Sequence, residues 1–168
     1  IGFYSPSNAP KYYPKKLVSP VTITNDAEND WVVLRYADVL LMLAEAELEM
    51  DNLGDARTYL NLVRARALAG QVSPAQGSNK DNLRSIIRDE RARELCFEGL
   101  RKFDLIRWGQ FNNAMINVKN SINNSSSSAT LKNRYLTSYN NVKQRDTLLP
   151  IPSSELSVNG LMIQNAGW

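Results

Sequence analysis

The chain has 168 residues, 43% of them hydrophobic and 22% charged, which is typical of one globular domain with a sizeable core. Its 20 basic and 17 acidic residues are dispersed and give a net charge of +3, so a nucleic-acid partner is not indicated. The absence of histidine and the single cysteine argue against Ser/His/Asp or Cys/His catalysis, a cysteine zinc cluster and an internal disulfide, and we expect no metal and no cofactor.

The first 30 residues hold four of the seven prolines and are predicted to form an extended, loop-rich lead-in from a missing amino-terminal part. Residues 31–50 then have the apolar spacing of a helix. Six of its apolar residues share one face, namely Val33, Leu34, Ala37, Leu41, Ala44 and Leu48. No run here approaches the roughly 20 apolar residues that a membrane span needs.

The segment DNLG at 51–54 predicts a turn, and Asp55 is then expected to cap a second helix that runs to about Ala69. Four small or apolar residues form its inner stripe, namely Ala56, Leu60, Val63 and Ala67. Gly70 is the expected stop. Two such helices, with small residues at close contacts, resemble one tetratricopeptide unit.

A third helix is predicted from an Asp81 cap to Glu98, with a core face of Leu83, Ile86, Ile87 and Phe97. Glu90, Glu94 and Glu98 follow one another at four-residue spacing beside or within that apolar face. Like charges there repel each other and are costly to desolvate, so cationic partners are required.

The partners are expected among nearby arginines and among residues beyond Gly99, and the resulting structural ion network is predicted to contain Glu90, Glu94, Glu98, Arg101, Arg107 and Trp108. The functional alternative is a paired-carboxylate glycosidase that uses Glu90 with Glu94 or Glu98. So many arginines favour lowered rather than raised pKa values at these carboxyl groups, and the structural interpretation is preferred. Cys96 is predicted to be a small buried hydrophobe.

Residues from 112 onwards become rich in Asn and Ser, and a mobile polar loop is predicted around 117–134. The last part is predicted to contain an extended or strand-like TLLPIP segment, a short helix capped by serine and an irregular tail.

Four blocks of the chain, in order, resemble the carboxyl-terminal part of SusD/RagB-type outer-membrane nutrient-binding lipoproteins. The blocks are RYADVLLMLAEAELEM at 35–50, LNLVRARA at 60–67, ERARELCFEGLRKFDLIRWG at 90–109, and LLPIPSSEL followed by QNAGW between 148 and 168. They span about 130 residues, and their order makes the resemblance specific. Leu100, Lys102 and the QNAGW ending depart slightly from the family pattern.

The resemblance implies an all-α protein built on tetratricopeptide-like helix hairpins, with extended, loop-rich terminal segments. Residues 31–168 would be its carboxyl-terminal helical region. Such proteins are not enzymes; they bind an oligosaccharide or other nutrient on the outer face of a Gram-negative outer membrane and pass it to a SusC-type TonB-dependent transporter. The lipid anchor would lie in a part absent from this chain.

Aromatic side chains in exposed segments are the usual platforms for sugar rings, and Tyr4, Tyr12, Tyr13 and Trp31 are the candidates. The favoured alternative is that Tyr12 and Tyr13 pack this segment onto the helices and that Trp31 begins the first helix as a core anchor. A second functional hypothesis is a tetratricopeptide-like adaptor that binds a peptide. It would need further helix pairs, and no second repeat is evident in the sequence.

Overall fold

The computed structural model describes residues 16, 30 and 32–168. Within this part of the chain the secondary structure is helical, without a β-strand, which confirms the predicted all-α class. The helices are α1 (Tyr36–Glu49), α2 (Leu53–Arg66), α3 (Lys80–Glu94), α4 (Arg101–Arg107), α5 (Phe111–Asn124), α6 (Ala129–Asn140) and α7 (Ser153–Val158), with a 3-10 turn at Gln144–Thr147.

The chain divides into two compact units, one that ends at Arg101 and a second formed by residues 102–168. The sequence interpretation placed residues 31–168 in a single helical region, so this division was not foreseen. The predicted lead-in over residues 1–30 lies outside the described residues, apart from Lys16 and Asp30.

Helix α1 supplies one side of the core of the first unit. Four predicted positions are buried, namely Ala37, Leu41, Ala44 and Leu48. The helix begins at Tyr36 rather than near residue 31, because Arg35 has an extended backbone with φ −138° and ψ 158°. Val33 and Leu34 therefore precede the helix and are 82% and 60% exposed, so their assignment to its buried face was wrong.

Helix α2 packs against α1 to form the predicted hairpin, with Ala56, Leu60 and Val63 buried. Asn52, not Asp55, is the residue before the helix, and Asp55 lies in its first turn, where a carboxylate interacts favourably with the helix dipole. The helix ends at Arg66 because Leu68 adopts the left-handed conformation, with φ +55°. It therefore stops before the predicted end, and Ala67 is exposed.

Helix α3 completes this core with Leu83 and Ile87, both fully buried, and each such side chain contributes about 1.5–3 kcal/mol. Asn79 caps the helix by accepting a hydrogen bond from the Asn82 amide at 2.9 Å, so the predicted Asp81 cap was wrong. The helix ends at Glu94, and Phe97 has φ +70°. Phe97 consequently leaves the core face and is 41% exposed.

In the second unit, the predicted polar loop at 117–134 is instead a helix hairpin. Helices α5 and α6 pack against each other, and only residues 125–128 connect them. The polar composition concealed a narrow apolar stripe at helical spacing, on which Phe111 is buried and Met115 and Ile122 are half-buried. In the part of the chain described here, no helix is both long and apolar enough to cross a membrane.

Side-chain amides fasten the carboxyl-terminal tail to the LLPIP segment. The side-chain amide of Gln164 accepts from the Ile151 N–H at 2.8 Å and donates to the Ile151 carbonyl at 2.9 Å. It thus makes the two hydrogen bonds that a neighbouring β-strand would make. Asn165 donates to the Leu149 carbonyl at 2.7 Å. Helix α7 follows Pro152 without a side-chain cap, so the predicted serine cap was wrong.

Candidate functional site

The ends of the three helices of the first unit meet at a cluster of paired charges, which we call the arginine–glutamate cluster and which contains Arg35, Arg66, Glu94, Glu98 and Lys16. Arg35 is its centre. Its Nε and Nη2 each donate to one oxygen of Glu98 at 2.8 Å, which is the bidentate arrangement that a guanidinium favours. Its Nη1 donates to Oε1 of Glu94 at 2.5 Å.

Two further cations complete this cluster. Arg66, in the last turn of α2, donates from Nη2 to Oε1 of Glu94 at 2.5 Å. Lys16 donates to Oε1 of Glu98 at 2.8 Å and also to the Glu94 carbonyl. The two glutamates thus share three cations. These are Arg35 from the segment before α1, Arg66 from α2, and Lys16.

Two neighbouring ion pairs link the same helices. Glu90, which is buried on α3, accepts from Nη1 of Arg64 at 2.5 Å. Arg91 donates to Asp38 at 2.9 Å, and both of these side chains are less than a tenth exposed. Each buried charge of α3 therefore has a partner of opposite charge on α1 or α2.

The pairing shifts the pKa values of Arg35 and Glu98. Hydrogen bonds to Glu98 are the main cause that raises the pKa of Arg35. Burial alone would raise the pKa of Glu98, but hydrogen bonds from Arg35 and Lys16 outweigh burial and lower the pKa below its usual value. Glu98 is consequently an ionised carboxylate, whereas a general acid needs a raised pKa.

A cavity of about 250 Å³ opens beside the cluster. All five charged residues of the cluster line the cavity, together with Val32, Cys96 and Phe97. Cys96 is half-buried rather than fully buried as predicted, because α3 has ended before it. The cavity thus combines guanidinium donors with an exposed aromatic ring.

The predicted network members beyond the third helix have other contacts. Arg101 donates to the Arg88 carbonyl at 3.4 Å. In the second unit, Arg107 pairs with Asp104 at 2.9 Å and stacks on the Trp108 ring at 4.8 Å from its centre. That Arg101, Arg107 and Trp108 belong to the same network as the three glutamates stays a prediction.

The sequence interpretation missed the arginines that precede α3 in the chain. Arg35, Arg64 and Arg66 stand in the blocks RYAD and LNLVRARA, whose charges were not assigned to any partner. The position of Arg64 next to Val63 and four residues after Leu60 was a signal for a half-buried cation, but it did not name the partner. The four candidate sugar platforms, Tyr4, Tyr12, Tyr13 and Trp31, lie outside the described residues.

Comparisons with known proteins agree with one another. A model of the SusD family matches residues 2–168. The SusD-like protein P25 of Formosa agariphila is 36% identical over 135 residues, which cover 80% of this chain and 23% of that protein. The starch-binding protein SusD of Bacteroides thetaiotaomicron is 31% identical over 151 residues, which cover 89% of this chain and 23% of that protein.

A solved structure also matches. The crystal structure of a SusD superfamily protein from Bacteroides vulgatus is similar with a TM-score of 0.61 and 32% identity, over 80% of this chain and 27% of that one. This likeness supports the tetratricopeptide-like helical fold. The chain spans about a quarter of the length of the curated relatives it matches, 23% to 27%.

Proposed function

Because the chain belongs to the SusD family, we propose that it is the carboxyl-terminal part of a non-enzymatic glycan-binding lipoprotein of the outer membrane. In this proposal the protein binds an oligosaccharide or another nutrient at the cell surface of a Gram-negative bacterium. It then delivers the ligand to a SusC-type TonB-dependent transporter. The observation that carries the proposal is the match to the family over residues 2–168.

The contacts between the matched sequence blocks support a scaffold role for them. Arg35 in the first block and Arg66 in the second both pair with Glu94 in the third. In the fourth block, Gln164 of the tail is bonded to Ile151 of LLPIP. The paired residues of these blocks therefore hold helices and tail in place.

The ion pairing of Glu94 and Glu98 supports a binding protein over a glycosidase. An inverting or retaining glycosidase needs one protonated carboxylic acid beside one free carboxylate. Both oxygens of Glu98 are occupied by Arg35, and its pKa is lowered. Glu94 also accepts from Arg35 and, in addition, from Arg66. Neither carboxyl group is placed to donate a proton to a glycosidic oxygen.

The test is a binding and turnover measurement on the full-length protein. Calorimetric titration against a panel of oligosaccharides, starting with starch-derived maltooligosaccharides, is expected to show saturable binding. Chromatography of the same mixtures is expected to show the ligand unchanged after prolonged incubation. Affinity purification from outer membranes is expected to recover a large TonB-dependent transporter with the protein.

Release of shorter sugars would contradict the non-enzymatic proposal if Glu94→Gln abolished the release while the variant kept its helical circular dichroism spectrum. Glu155→Gln is the matched control, because Glu155 is exposed on α7 in the second unit. If the protein bound no glycan in the panel, the proposal that its nutrient is a glycan would be contradicted.

A further inference from the structure

The cavity beside the arginine–glutamate cluster has the composition of a ligand subsite. Its volume of about 250 Å³ is slightly below the roughly 300–1,000 Å³ of pockets that hold drug-sized ligands. It therefore has room for one ring-sized unit of a larger ligand. Guanidinium groups and an aromatic ring share its wall, and these are groups that fix the orientation of a polar ring.

Phe97 is presented to this cavity by a strained backbone. With φ +70° it lies in the left-handed region, which a bulky residue rarely adopts and which costs energy. The residue is 41% exposed and lines the cavity. The ring is thus available as a flat apolar surface, against which the C–H face of a pyranose can pack.

The charges around the cavity favour an anion. Three cationic side chains face two carboxylates, which leaves one positive charge in excess. The Arg66 side chain is 62% exposed, and in the described part of the chain only its Nη2 donates to a protein acceptor. Its remaining N–H groups can therefore donate to a carboxylate or a sulfate in the planar arrangement that arginine provides.

We propose that this cavity is a subsite for one acidic sugar residue of a glycan, with Phe97 as the stacking platform and Arg66 as the donor to the anionic group. The proposal rests on the glycan-binding function proposed above and adds a class of ligand to it. The anionic group can be a carboxylate, as in uronic acids, or a sulfate ester. Both present coplanar or clustered oxygens to a guanidinium.

The experiment measures the affinity of the full-length protein by calorimetric titration with four probes. These are an oligogalacturonide, its methyl-esterified counterpart, a sulfated galactan oligosaccharide and a neutral maltooligosaccharide. The esterified probe has the same backbone as the oligogalacturonide but no charge. Tighter binding of one anionic probe identifies a carboxylate or a sulfate as the group that is recognised.

Two variants test the assigned residues. Arg66→Gln is expected to weaken binding of the preferred acidic probe about tenfold or more, while affinity for neutral probes stays within about twofold. Phe97→Gly removes the ring and suits the left-handed backbone, so it is expected to weaken binding without lowering the melting temperature. Arg93→Gln is the matched control, because Arg93 is 65% exposed on α3 and does not line this cavity.

The subsite is wrong if both variants bind the acidic probe with parental affinity, or if the parental protein binds the esterified probe as tightly as the acidic one. It is also wrong if Arg66→Gln weakens neutral and acidic probes equally and lowers the melting temperature, since Arg66 then acts through the fold. These outcomes leave the proposed function intact. If the parental protein binds none of the four probes, the subsite is wrong, whereas the proposed function is tested by the wider panel and by recovery of the transporter.

Discussion

Each of the two compact units is stabilised internally by a different kind of interaction. In the first, fully buried aliphatic side chains of α1, α2 and α3 form a core, and ion pairs link the same helices. In the second, α6 and α7 contain no buried residue, and the tail is fastened by hydrogen bonds from side-chain amides to the backbone. The first unit is thus stabilised by apolar and paired charged side chains that are removed from water. The second unit relies on hydrogen bonds between polar groups, and water can partly replace those bonds.

The largest effect is expected from breaking the buried pair of the first unit. Arg91→Met leaves the Asp38 carboxylate buried without this partner, and we expect a loss of about 3–5 kcal/mol in the free energy of unfolding, measured by urea denaturation. Arg93→Met, at an exposed arginine of the same helix, is expected to change it by less than about 0.5 kcal/mol. Equal losses in the two variants would contradict the interpretation that burial makes the Arg91–Asp38 pair costly to break.

A smaller loss is expected from removing the amide that fastens the tail in the second unit. Gln164→Ala leaves the Ile151 N–H and carbonyl without this partner, at a cost of about 1–3 kcal/mol. Faster hydrogen exchange at the Ile151 amide is the direct measurement. Gln110→Ala is the control, because the Gln110 side chain makes no capping bond, and an unchanged Ile151 amide in Gln164→Ala would contradict the interpretation.

A weaker effect, visible only in acid, is expected at Glu98, whose carboxylate keeps some contact with water. Its pKa is lowered in the fold, so its ionised form stabilises the protein above its ordinary pKa of 4.5. This stabilisation is lost as the pH falls from about 4.5 through the lowered value. Glu98→Gln is therefore expected to flatten the decline in stability over that range, and the same decline as in the parent would contradict the pairing with Arg35.

The smallest effect is a gain. Leu68 is 95% exposed with φ +55°, so Leu68→Gly removes strain and almost no packing. We expect the free energy of unfolding to rise by about 1 kcal/mol. Leu68→Ala keeps the Cβ atom and is expected to bring no comparable gain. A loss in the glycine variant would show that the Leu68 side chain has a packing role.

The helix pattern of the first unit could be predicted from the sequence because apolar spacing reports burial directly. Leu41, Leu60 and Leu83 were each placed on the correct face. The ends of the helices were harder to predict, since Leu68 and Phe97 adopt positive φ angles that their side chains disfavour. Apolar spacing reports burial and not the backbone φ angle, so these helix ends could not be located from the pattern.

The ionic contacts could be predicted only in part. The four-residue spacing of Glu90, Glu94 and Glu98 and their need for arginines follow from the sequence. Which arginines meet it depends on the relative register of three helices, so Arg35 and Arg64 could not be identified from periodicity. The α5–α6 hairpin was missed because asparagine and serine outnumber its apolar residues, although Phe111 and Met115 already have helical spacing.

The stacking of arginine on tryptophan gives the second unit its own optical signal. Trp108 lies against Arg107 and Trp168 against Arg145, with the guanidinium carbons 4.8 and 4.4 Å from the ring centres. Once Trp31 is replaced by phenylalanine, these two indoles are the only ones in the chain. Fluorescence emission then reports the unfolding of the tail and α4, while far-ultraviolet circular dichroism reports the helices of both units. A single denaturant titration can therefore compare the two unfolding midpoints.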